Sequence, residues 1–113
     1  MAYSSRGNAY NSKGQYDRAI EDYNKAIALN PNDVEAYNDR CLAYNNKGQY
    51  DRAIEDYNKA ISLKSNIAYV YYNRGITYDM KGNIDRAISD FQKACDMGEE
   101  NGCKALQMAL EKR

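Results

Sequence analysis

Histidine and tryptophan are absent from this chain, proline occurs once, at Pro31, and phenylalanine once, at Phe91. Without histidine, the commonest proton-transfer group near neutral pH and the commonest metal ligand are both missing. Net charge is missing too: Lys+Arg and Asp+Glu number 16 each, which leaves nothing to draw a nucleic-acid backbone or an anionic membrane. No apolar run approaches the roughly 20 residues of a spanning helix, and none follows a charged start in the manner of a signal peptide. These absences imply no nucleic-acid partner and no membrane insertion, and they favour a cytoplasmic location while leaving the compartment itself unknown. No nucleophile stands beside a base, no glycine loop suits a phosphate and no ligand cluster is visible, so neither enzyme activity nor a cofactor is expected.

What the chain does have is repetition. Residues 9–27 and 43–61 differ only at Ser12 against Asn46, and a looser third copy begins at Thr77, each offset by 34 residues from the last. A period of this size marks a stacked array of small helical units, a class that binds more often than it catalyses. Inside each unit the apolar and aromatic positions recur at helical spacing, as in Tyr37, Cys41, Tyr44 and then Tyr50, Ala53, Ile54, Tyr57. Gly14, Gly48 and Gly82 sit between the two halves, where a left-handed residue ends one helix and turns the chain back. Asp17, Asp51 and Asp85 then open the second helix, and Asn30-Pro31-Asn32-Asp33 stops the first unit and caps the next. The spacing predicts helices over 2–13, 16–29, 33–46, 50–64, 66–80, 84–97 and 101–112.

Tyr71, Arg74, Gly75, Tyr78, Gly82, Ala87, Phe91 and Ala94 together resemble the tetratricopeptide repeat (TPR). The same skeleton stands at Tyr3, Gly7, Tyr10, Gly14, Ala19, Tyr23, Ala26 and Pro31, and at Tyr37, Cys41, Tyr44, Gly48, Ala53, Tyr57 and Ala60. The resemblance implies an all-α, right-handed superhelical solenoid of three antiparallel helix pairs plus a capping helix. Its repeats span 1–33, 34–67 and 68–101 of a single domain, and the cap spans 102–113. Tyrosine replaces the usual large ring at the head of each unit, and Arg6, Arg40 and Arg74 stand where leucine is common. Each arginine stem is expected over the helix interface with its head in water or on a nearby carboxylate; contact with a ligand is the alternative.

By the same resemblance, the first helix of each pair lines a concave groove that holds an extended or helical peptide. The candidate groove residues are Asn8 and Asn11 in the first unit, then Glu35, Asn38, Leu42, Asn45 and Asn46, then Tyr69, Tyr72, Ile76, Asp79 and Met80. Of 12 tyrosines, only Tyr69 and Tyr72 fall outside the repeat's packing positions, which marks them as anchors for a partner. The asparagines can donate to and accept from a peptide backbone, or simply be solvated amides. TPR domains that clamp the C-terminal carboxylate of heat-shock chaperones use lysine, arginine and asparagine where this chain has Ser4, Asn8, Asp39, Tyr69 and Asn73. Only Asn8 agrees, so that clamp is not expected.

Cys41 takes a small-residue place and reads as a packed thiol. Cys95 and Cys103 flank the turn into the capping helix, in a segment that resembles the cysteine-bearing Sel-like relatives of the TPR, which staple adjacent helices at this spacing. Three states are open to the pair: a disulfide, two reduced thiols or a shared metal. The leading expectation is a scaffold for a protein or peptide partner. The runner-up is a structural segment of a longer array that forms homo-oligomers through a first repeat left uncapped at Met1.

Overall fold

A computed structural model describes residues 3–113, so the expected helix start at residue 2 and the uncapped Met1 lie outside the described residues. All regular structure within that range is helical: α1 Tyr3–Ser12, α2 Tyr16–Leu29, α3 Val34–Asn46, α4 Tyr50–Leu63, α5 Ala68–Lys81, α6 Ile84–Asp96 and α7 Glu100–Lys112. The chain divides into two compact units, the first ending at Lys64 and the second running from Ser65 to Arg113.

In the first unit α1 packs on α2, α2 on α3 and α3 on α4. Gly14 and Gly48 adopt φ of 77° and 78°, a conformation that costs other residues a Cβ clash, and each lets a helix reverse within three residues. The turn around Pro31 behaves as its residues dictate. The Asp33 side chain accepts from the Ala36 amide at 3.2 Å and caps α3. Gln15 and Gln49 precede α2 and α4 without a side-chain cap, leaving Asp17 and Asp51 in the first turns to favour the positive helix end. Ala19, Ile20, Tyr23 and Ala43 form a buried cluster, with Tyr10 and Tyr44 packed against it.

In the second unit α6 packs on both α5 and α7, and α7 also touches α5. Helix α5 starts two residues later than the sequence pattern predicts, because Ile67 is extended and no side chain caps the helix. Helix α7 starts earlier than the expected cap boundary at residue 102, because Gly98 at φ 94° turns the chain immediately after α6. Val70, Tyr78, Ala87, Phe91, Ala94 and Ala109 make the core of this unit. The close approaches explain the small residues: a Cβ on Gly75 would lie 2.6 Å from Phe91 Cε1, and one on Gly102 would lie 2.8 Å from Ala94 Cβ.

Candidate functional site

Each helix pair is braced by one arginine and one aspartate. Arg6 reaches Asp22 through two bonds of 2.8 and 2.7 Å, Arg40 reaches Asp56 through two of 2.7 Å, and Arg74 reaches Asp90 through two of 2.8 and 2.7 Å. The carboxylates are buried, and the fork geometry satisfies both oxygens. Tyr3, Tyr37 and Tyr71 lie with ring centroids 5.6, 5.7 and 5.6 Å from the three guanidinium carbons. The tyrosines at the head of each unit therefore carry the arginine. The Arg6 fork holds the Asp22 carboxyl below the ordinary range. Burial pushes Asp56 up against the opposing pull of Arg40. The three arginines are thus occupied within the fold, each with its head on a nearby carboxylate, one of the two placements expected of it.

With these cations engaged, the face formed by α1 and α3 carries oxygen-rich chemistry. Glu35, Asn38, Asp39 and Leu42 recur at helical spacing on one face of α3, and Asn8 and Asn11 do so on α1. The buried Tyr23 hydroxyl donates to Asn8 Oδ1, and the Asn8 amide bonds the Asp39 carboxylate in turn. Asn8 is therefore already committed inside the first unit. Burial raises the Asp39 pKa to about 6, helped by Glu35 and Asp33 and opposed by the Asn8 bond. Asn38, at 5% exposure, is the most buried of the candidate residues. Its Oδ1 is sealed from solvent and meets no donor, and the same holds for Oδ1 of Asn11. Leu42 and Asn45 are half-buried, while Glu35 and Asn46 are exposed. A separate concavity of about 310 Å³, lined by Gly14, Tyr16, Asp17, Arg18 and Lys47, contains the Lys47–Asp17 ion pair and none of these candidates.

In the second unit Tyr69, Tyr72 and Ile76 are half-buried and Met80 is exposed. The Tyr72 ring centroid stands 6.1 Å from that of Phe91, so this ring leans on the core as well as facing outward. Asp79 receives Lys112 Nζ at 3.0 and 3.3 Å, tying α5 to the last turn of α7. Arg113 approaches Asp85 at 3.4 Å. Cys95 and Cys103 face each other across the α6–α7 turn at bonding distance, with a Cα separation of 4.6 Å. Cys41 is fully buried, and burial raises its pKa far above the ordinary thiol range, which makes it inert. Among the described residues, no group of three or more His, Cys, Asp or Glu could hold a metal ion, and no helix is long and apolar enough to cross a membrane.

Helix hairpins repeated at fixed period, with small residues opposite buried rings, define the helical-repeat class. Within it, the TPR repeat matches residues 7–48 and 42–82, and the tetratricopeptide repeat matches 68–101. The chain belongs to the tetratricopeptide-repeat family, and its fold is the all-α repeat fold of TPR domains. It is similar to the second TPR domain of human RPAP3, solved with an HSP70 peptide, at 26% identity over 96% of this chain and 92% of that one, with a TM-score of 0.88. The first TPR of Spaghetti (RPAP3), bound to an HSP90 peptide, shares 22% identity over 97% of this chain and 89% of that one, with a TM-score of 0.92. The Arabidopsis OM64 TPR domain shares 22% over 98% and 93%, also with a TM-score of 0.92. No sequence among the curated proteins matches the chain.

Proposed function

We propose that the chain is a non-catalytic interaction module that binds a peptide segment of a partner protein on the α1–α3 face of its first unit. The observation that carries this reading is the likeness, at 26% identity, to a TPR domain solved with a peptide in place. Leu42 supplies apolar contact on that face and its amides and carboxylates supply polar contact, while Tyr69 and Ile76 on α5 offer a second, separate candidate surface in the second unit. The peptide is of a different kind from a chaperone tail, because Asp39 puts a carboxylate where a C-terminal carboxylate would need a donor. The Cys95–Cys103 bridge ties α7 to α6.

The test is selection from a random peptide display library on the full chain. A reproducible peptide family is expected, with binding weakened at least about tenfold by Leu42→Ala. Tyr72→Phe, which keeps the ring against Phe91, serves as the folded control. Failure to select any peptide contradicts the reading.

A further inference from the structure

We infer that the α1–α3 face of the first unit receives a cationic side chain, a lysine or arginine of the partner peptide, on Asp39. This rests on the peptide-binding reading above and names the chemistry of what binds. Four observations within one unit converge on it. Asp39 and Glu35 share one face of α3, and the groups known to press on Asp39 are the carboxylates of Glu35 and Asp33 and the amide of Asn8. No lysine or arginine pairs with Asp39 among the described residues.

Three cations of the unit are held by other groups: Arg6 on Asp22, Arg40 on Asp56 and Asn24, and Lys47 on Asp17. Asn38 projects from the same face of α3, is 5% exposed, and keeps an Oδ1 with no donor. Asn11 on the facing helix does the same. A buried acceptor without a donor is costly and rare in folded proteins. Here two such acceptors accompany a carboxylate whose only bonded partner is an amide.

The half-buried Asp39 carboxylate therefore lacks a cation, and a guanidinium or ammonium group supplies one. A divalent ion fits less well, since no group of three acidic or other ligating side chains forms among the described residues.

The experiment sequences the peptides selected on the full chain and measures one of them by fluorescence anisotropy. Selected peptides are expected to share one lysine or arginine. Replacing that residue with glutamine, or making Asp39→Asn in the chain, should each weaken binding about tenfold or more. The two changes together should cost little beyond either one, since both remove the same contact. Asp39→Asn keeps an acceptor for Asn8, and its thermal melt establishes that the fold is retained. A peptide family without a shared basic residue, or affinity indifferent to Asp39→Asn, overturns the inference and leaves the peptide-binding reading standing. A library that yields no binder overturns both.

Discussion

At the scale of single residues, the chain replaces apolar contacts between paired helices with a fork of charge. Arg40 and Asp56 are joined by two bonds and shielded from water, and each is costly without the other. Arg40→Leu, the residue type common at this TPR position, is therefore expected to destabilise the chain by about 3 kcal/mol by stranding Asp56. Arg40→Leu with Asp56→Leu should recover most of that loss. Urea denaturation of the two single variants and the double variant measures the coupling. The arginines were legible in the sequence as departures from the repeat, but their partners were not singled out. The signal was present: in all three copies an aspartate follows the arginine by 16 residues.

Asp39 poses the opposite case, a carboxyl without a cation. Its pKa in the folded chain, about 6, stands above the ordinary 3.8, so its ionisation opposes folding. That penalty is complete above pH 6, shrinks as pH falls, and is gone below pH 3.8. Asp39→Asn should accordingly stabilise the chain by about 1–2 kcal/mol at pH 7, with no gain near pH 3.5, in melts compared across that range. A residue that costs stability and whose removal costs binding fits a functional position. Asn8 shows what spacing could not reveal. It lies on the expected stripe, yet Tyr23 and Asp39, on two other helices, claim its amide.

At the scale of elements, every helix was readable, because apolar periodicity and glycine turns are local signals. Most boundaries moved by one residue at most, and the largest shift, two residues at the start of α5, falls where the extended Ile67 provides no side-chain cap. Helix approach is set by Gly7, Gly75 and Gly102, which face the Tyr23 ring, the Phe91 ring and the Ala94 methyl too closely to admit a methyl group of their own. Gly75→Ala is expected to destabilise the second unit by about 1–2 kcal/mol, since overpacking against Phe91 outweighs the better helix propensity of alanine. Thermal or urea melts check it; a more stable variant would show that Phe91 yields. Asp79 illustrates a limit of reading elements one at a time. It was expected on a binding face, and it bonds Lys112 on the capping helix, 33 residues away in sequence.

At the scale of the whole molecule, the repeat period and its skeleton already identified the family, because packing in such arrays is encoded within each unit. The near-identical second helices, α2 and α4, are scaffold, and the copies differ most where binding is proposed. Neutral overall charge conceals local asymmetry: arginines are neutralised between helices while Asp39 is not. Sequence could not show that division, because it depends on which side chains meet across helix pairs.

The central claim is that a peptide occupies the α1–α3 face of the first unit. Amide chemical-shift mapping of the labelled full chain, titrated with a library-selected peptide, tests it most directly. The account predicts shifts at Asn38, Asp39 and Leu42, with Glu21, Glu55 and Ser89 unmoved. Shifts confined to Glu21, Glu55 and Ser89, on α2, α4 and α6, would contradict it.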